Sequence, residues 1–277
     1  MRNFFWRLGR KLYLFARSES NTSQFKNGEF YAVKKIISRI GPGPHSFVDI
    51  GANNGSWVDE VKIESLNFKI KIDFFIIEPS SDSFEFLNTI YGGFARCIKL
   101  ALSDTPGTST LKIYGDSYGI NSLYDDYKYK VAFEEKVNVE TFDNLCIKNN
   151  ILKICYVKSD SEGNCFNILK GATESFNAGA IQFWQFEYNH RWLYSRTSLL
   201  DVFNWLNGKP YVIGKLTKKK IYIFKEWHFE LDRFFETNYI LIRRDSLKLL
   251  DGMIEFYEFD KYNSAIKIGD VSKYIAI

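Results

Sequence analysis

The sequence predicts an α/β protein with a mostly parallel sheet and helices on both faces. Three observations lead there. From residue 46 onward short apolar runs alternate with helix-like segments, the pattern of repeated βαβ units. Phe74-Phe75-Ile76-Ile77 is apolar at successive positions, as a strand covered on both sides requires. Phe47-Val48-Asp49-Ile50-Gly51-Ala52-Asn53-Asn54-Gly55 runs from a strand through a glycine-bearing turn into a helix with Ser56 at its N-cap.

The elements follow in order. Over residues 2–17, Phe4, Phe5, Leu8, Leu12, Phe15 and Ala16 share one helical face, and Arg7, Arg10, Lys11 and Arg17 the other. No acid precedes Glu19. Such a helix suits either an anionic membrane surface or a site on its own domain or a partner subunit. Residues 18–27 are polar and read as a loop, and 28–40 as a helix stopped by Gly41-Pro42-Gly43-Pro44. Strands are expected at 47–50, 72–77, 97–102, 154–157 and 180–186. Helices are expected at 57–65, 82–90, 141–148, 165–172 and 198–206. Runs at 211–214 and 221–224 form an antiparallel closing hairpin, giving a sheet of seven strands. This divides the chain into an N-terminal helical extension (1–40), the sheet domain (41–225) and a C-terminal extension packed on that domain (226–277).

Composition narrows the function classes. The chain has 277 residues, 45% hydrophobic and 25% charged, with a net charge of +4 that does not call for nucleic acid. No apolar run approaches a membrane span, and Arg7, Arg10 and Lys11 interrupt any signal-peptide core. Cys97, Cys146, Cys155 and Cys165 lack CxxC spacing, which suits reduced thiols in the cytoplasm, with at most peripheral contact at the inner face of the membrane. The three histidines are not spaced with these cysteines as zinc ligands.

Ligands of such sheets bind beyond the carboxyl ends of the strands. The polar residues expected there are Asp49, then Glu78-Pro79-Ser80, Ser103-Asp104, Asp160-Ser161-Glu162-Gly163 and Glu187-Tyr188-Asn189-His190. The acid inside the first turn would repel a phosphate, but suits a cofactor with an ammonium or hydroxyl groups, such as S-adenosylmethionine (SAM). Glu78 can accept both hydroxyls of a ribose, which fits NAD or SAM. The absence of a GxGxxG fingerprint favours SAM, with an NAD-dependent enzyme as the competing reading.

Several further pieces occur in one order: Ile77-Glu78-Pro79; Ala101-Leu102-Ser103-Asp104 with Gly107; Gly119-Ile120-Asn121-Ser122-Leu123; Val139-Glu140-Thr141-Phe142-Asp143; and Lys158-Ser159-Asp160-Ser161-Glu162-Gly163 followed by Ile168-Leu169-Lys170-Gly171-Ala172. With the glycine turn and Phe186-Glu187, the ordered set resembles the FkbM-type SAM-dependent methyltransferases over residues 46–225. Ser161 departs from the hydrophobic residue of that family's Asp-hydrophobic-Glu-Gly core. The resemblance implies a Rossmann-like class I methyltransferase fold. It also implies methyl transfer to a hydroxyl of a sugar or glycoconjugate, as in cell-surface polysaccharide biosynthesis, or to a small-molecule natural product. A non-catalytic SAM- or glycan-binding module, monomeric or oligomeric, is the reading from a different class.

On the resemblance, Gly51, Ala52, Asn53 and Gly55 line the methionine and ribose portion of SAM. Asp49 reaches the methionine ammonium, Glu78 holds the ribose hydroxyls, Ser103 and Asp104 border the adenine, and 119–123 folds over cofactor or acceptor. A sugar hydroxyl needs a base, for which Asp160, Glu187 and His190 are the candidates. Asp160, Glu187 and Asn189 holding Mg²⁺ is the alternative. Trp184, Tyr188, Trp192 and Tyr194 either stack on sugar rings or pack in the core. Lys218-Lys219-Lys220 is either a solvated hairpin tip or a contact for a charged or lipid-linked sugar.

Overall fold

The computed structural model describes residues 1–19, 23–115 and 118–269. The rest of the 18–27 loop and of the 226–277 extension lies outside the described residues. Helices α1 (Arg2–Arg17) and α2 (Glu29–Ile37) precede the sheet. The chain then alternates β1 (Pro44–Ile50), α3 (Ser56–Phe68), β2 (Lys71–Ile77), α4 (Ser81–Tyr91) and β3 (Ala95–Ile98). After β4 (Ala101–Leu102), β5 (Gly107–Ile113) and β6 (Phe133–Glu140) come α5 (Phe142–Asn149), β7 (Ile154–Ser159), α6 (Cys165–Lys170), α7 (Thr173–Asn177) and β8 (Ile181–Tyr188). The last elements are α8 (Leu199–Leu206), β9 (Tyr211–Leu216), β10 (Ile221–Phe224), β11 (Thr237–Arg243), β12 (Ile254–Phe259) and β13 (Ala265–Lys267).

The α/β class is the one expected. Strands β3, β2, β1, β7 and β8 lie side by side and parallel. Successive side chains leave a strand on opposite faces, so Phe47 joins one apolar layer and Val48 the other. Helices α2, α3 and α4 cover the first layer, and α5 to α8 the second. Thr141 caps α5 by accepting the Asn144 N–H, and Ser198 with Asp201 makes a capping box on α8. The helix α3 begins differently from expectation: Gly55, with φ 76°, is its N-cap, and Ser56 is already helical.

The sheet is larger than seven strands and closes differently. Ten strands form one sheet, and β11 lies between β8 and β9, antiparallel to both. Tyr239, Ile240, Leu241 and Ile242 of β11 are fully buried, so the segment beyond 225 supplies interior structure. The β9–β10 hairpin forms, but it stands outside β11 and is extended by β12 and β13. The expected strand 97–102 is broken. Its first part pairs with β2, while Ala101–Leu102 joins β5 and β6 in a separate three-stranded sheet. That break lets the Glu78 N–H donate to Ile98 and the Glu78 carbonyl accept from Leu100.

The aromatic residues near β8 belong to the core. Trp184, Tyr188 and Trp192 are at most 1% exposed, leaving Tyr194 half-buried, so three of the four expected sugar-stacking residues are not available to a ligand. Lys218 and Lys219 are solvated at the hairpin tip, and Lys220 pairs with Glu255. Helix α1 buries none of its residues, and its apolar face is not packed on the domain. No described helix is long and apolar enough to cross a membrane.

Candidate functional site

The carboxyl ends of β1, β2 and β7 border one cleft of about 860 Å³ including its open mouth. Its floor is the turn after β1. Gly51 has φ 73°, and a Cβ there would lie 1.9 Å from the Asp160 carbonyl oxygen of the neighbouring strand end. Asn53 also has a positive φ, of 52°, and its N–H donates to Glu78 Oε2 at 3.0 Å. The Gly51→Ala variant therefore suffers both the left-handed backbone and a backbone clash. It should lose at least about 2 kcal/mol, read as a lowered melting temperature. Gly208→Ala is the control: φ is 78° there, but the space is open, so only about 1 kcal/mol should be lost.

Glu78 closes one end of the cleft and is 6% exposed. Its Oε1 accepts the Ser80 N–H at 3.0 Å, so each carboxylate oxygen already has one backbone donor. Burial pushes its carboxyl up to about 7, against the pull of those two N–H groups. Leu100, Ala101, Leu102 and Leu111 supply an apolar wall nearby. Gly119, Asn121, Ser122 and Leu123 also line the cleft. Ser122 Oγ donates to the Glu162 carbonyl at 2.8 Å, which ties that segment to the end of β7.

Beneath the floor lies a buried charge cluster on the α2 side of the sheet. Asp49 and Lys158 are register partners on β1 and β7, with Lys158 Nζ 3.6 Å from Asp49 Oδ1 and 3.5 Å from Asp160 Oδ2. Asp49 is 1% exposed, and neither of its carboxylate oxygens has a hydrogen-bond partner among the described residues. Glu29, at the start of α2, is 3% exposed, and burial raises its carboxyl to about 7 despite nearby Lys158. Burial alone would discharge Lys158, but Asp49, Asp160 and Glu29 outweigh it and hold the ammonium charged. Lys158 and Gln24 line the cleft, whereas Asp49 does not.

Three acids gather near the carboxyl ends of β7 and β8. Asp160, Glu162 and Glu187 each bring one carboxylate oxygen within 4.8 Å of the other two. Glu162 has φ 47° and pairs with Arg191 at 2.8 Å. Burial and the Asp160 charge raise its carboxyl to about 8, opposed by Arg191. Burial, with Asp160, Glu162 and Glu236 adding repulsion, lifts Glu187 well above the carboxylate range. Arg191 is itself fixed by Asp126 at 2.9 Å.

The structure thus brings Gly51, Ala52, Asn53, Glu78 and Asp160 to one cleft, with Glu187 beside Asp160. Others stand elsewhere. Gly55 faces the Tyr91 ring, where a Cβ would meet it at 2.4 Å. Ser103 and Asp104 lie outside the cleft, Asp104 pairing with Lys170 at 2.6 Å. His190 is exposed and does not line the cleft. Asn189 is 3% exposed; its Oδ1 accepts the Arg191 N–H and its Nδ2 donates to Glu187, so Glu162 replaces it in the acidic trio. Lys158, Glu29 and Gln24 were not among the expected site residues. A lysine inside the otherwise apolar 154–159 strand is the signal that points to the first.

Residues 49–213, more than half of the chain, match the family model described as the methyltransferase FkbM domain. No curated protein matches the chain. Among solved structures, the chain is similar to the methyltransferase FkbM from Methylobacillus flagellatus KT, with 17% identity and a TM-score of 0.44, over 76% of this chain and 49% of that one. It is also similar to a SAM-dependent methyltransferase from Agrobacterium tumefaciens, with 8% identity and a TM-score of 0.38, over 76% and 59% of the two chains. A precorrin-6y C5,15-methyltransferase from Geobacter metallireducens GS-15 shows 9% identity and a TM-score of 0.37, over 80% and 91%. The chain spans about half the length of the Methylobacillus protein.

Proposed function

The chain belongs to the FkbM methyltransferase family, and from that membership we propose that it is a SAM-dependent O-methyltransferase acting on a hydroxyl of a sugar or glycoconjugate. The observation that carries this reading is the cleft lined by Glu78, Asp160 and Glu162, with a Glu187 carboxylate oxygen within 4.8 Å of one from each of the last two. The residues fit SAM: Glu78 lines the cleft with room to accept ribose hydroxyls, and the Gly51 turn leaves space that a Cβ could not share with Asp160. Lys158 is placed for a carboxylate and Asp160, about a third exposed, for an ammonium or an acceptor hydroxyl. The wall formed by Leu100, Ala101 and Leu102 suits an adenine ring.

When bound, SAM supplies a methyl group activated by its sulfonium for in-line displacement. The chain's own part is to orient the acceptor and remove its proton. Glu187, whose oxygen lies within 4.8 Å of the cleft-lining Asp160, serves as the base in its ionised form; burial raises its carboxyl, so it loses its own proton before it takes the acceptor's. Asp160 faces the cleft and orients the acceptor hydroxyl. Glu162, paired with Arg191, keeps a positive charge within reach of the trio. Polyhydroxylated acceptors suit this cluster of oxygens, and that support replaces the aromatic platform, of which Trp184, Tyr188 and Trp192 are buried.

Glu187→Gln and Asp160→Asn should each lower kcat about 100-fold or more on a sugar panel, with SAM affinity within about threefold of wild type. Calorimetry with SAM and turnover by mass spectrometry check this. Equal losses in affinity and kcat for Asp160→Asn would make it a cofactor ligand instead. The same three oxygens are close enough to share a divalent cation; loss of turnover in EDTA, restored by Mg²⁺, would replace the base reading with a metal one. SAM binding with no turnover on any hydroxylated acceptor would favour a binding module.

A further inference from the structure

Helix α1 is held to the body by one side and presents the other to solvent. Tyr13 Oη donates to Glu230 at 2.6 Å, Arg17 pairs with the same carboxylate at 2.8 Å, and the Arg10 guanidinium lies 5.1 Å from the Phe235 ring centre. Just beyond the helix, Glu19 pairs at 2.6 Å with Lys215, and both side chains are at most 5% exposed. The clamp therefore grips the polar side of the last two turns. On the helical wheel the opposite side carries Phe4, Phe5, Leu8, Leu12 and Phe15. These are 64%, 64%, 42%, 60% and 83% exposed, an arrangement opposite to that of a helix seated on a core.

Charge identifies the occupant. Lys11 and Arg7 flank one edge of the apolar face and Arg2 the other, and the first 18 residues contain no acid. Cations on both flanks of an apolar stripe match an interface with hydrocarbon below and anionic headgroups above, where long side chains reach the phosphates. A second copy would bring two sets of the same cations together. We propose that α1 docks this protein on an anionic lipid bilayer, with Phe4, Leu8, Leu12 and Phe15 entering the acyl boundary.

The test uses the full chain and co-sedimentation with vesicles of equal parts phosphatidylglycerol and phosphatidylcholine, against pure phosphatidylcholine. Wild type should partition about tenfold or more in favour of the anionic vesicles. Phe4→Ser/Leu8→Ser/Phe15→Ser should lose at least about tenfold of that binding with an unchanged melting temperature, since all three side chains are exposed. Arg2→Gln/Arg7→Gln/Lys11→Gln should remove the preference for anionic lipid. Wild type left in the supernatant with both vesicles, or serine-variant binding equal to wild type, overturns the proposal. So does a wild-type dimer that the serine variant converts to monomer, which would make the face a contact between copies.

Discussion

Lys158→Met is expected to cost about 3–5 kcal/mol of folding stability, the range for removing one member of a buried ion pair. Lys158 and Asp49 side chains are 6% and 1% exposed, and neither Asp49 oxygen has a hydrogen bond to fall back on. Without the ammonium, Asp49 and Glu29 stay dehydrated and lose the cation that lowers both carboxyls. Their remaining escape is protonation, which raises their folded-state values further above the unfolded ones. A carboxyl of that kind imposes no penalty below its unfolded pKa, about 4. The penalty grows as pH rises and is complete above the folded pKa. The deficit of Lys158→Met in thermal melts should therefore be larger at pH 8 than at pH 5. Adding Asp49→Asn should recover part of the loss, and a double-mutant cycle measures the coupling. A variant that melts like wild type at both pH values would show that the cluster does not hold the two central strand ends together.

Glu78→Ala has the largest expected effect on binding. Two ribose hydroxyls donating to one carboxylate represent about 3 kcal/mol together, so SAM affinity should fall about 100-fold. The pH profile separates this from a general loss of structure. Glu78 titrates at about 7 because it is buried, so it is largely neutral in mild acid and ionised in mild base. Hydroxyl donors prefer the ionised form, so wild-type affinity should rise with pH through 7 and binding should release protons. In Glu78→Ala that rise should vanish. Calorimetry in buffers of different ionisation heat reads both quantities. An affinity that falls less than threefold, with the pH dependence kept, would remove Glu78 from the ribose site.

The β1 turn, Glu78 and Asp160 were legible because strand, glycines and acids lie in short windows with a defined periodicity. The five parallel strands were legible for the same reason. Other strands were hidden by charge. In β6 (Phe133–Glu140), buried Val137 and Glu140 are interspersed with exposed Glu134, Lys136 and Asn138, so charge interrupts the apolar alternation. In β11, a buried run sits between Glu236 and Arg243, and its place between β8 and β9 depends on partners far away in sequence. Ser103 and Asp104 were expected at a cleft-lining strand end. The break at residues 99–100 instead turns the chain into the small sheet, carrying both residues away. Lys158 stands out in the sequence as a charge inside an apolar run, whereas Glu29 could be recognised only once α2 and β7 were seen to meet. The aromatics after residue 180 read equally as platform or core, and burial decided for core at Trp184, Tyr188 and Trp192.

The insertion of β11 between β8 and β9 also bears on biosynthesis. A ribosome delivers the chain in order, so β1, β7 and β8 can pair before residue 237 has been made. During that interval β8 is an open edge, and the β9–β10 hairpin has no permanent neighbour on its inner side. Such edges recruit foreign strands, and β8 is a long and largely buried one. The late strand is thus the keystone of the nascent protein. A ribosome stalled near residue 225 would release a sheet in two pieces, and chaperone demand should be concentrated in the time needed to synthesise the next twenty or so residues.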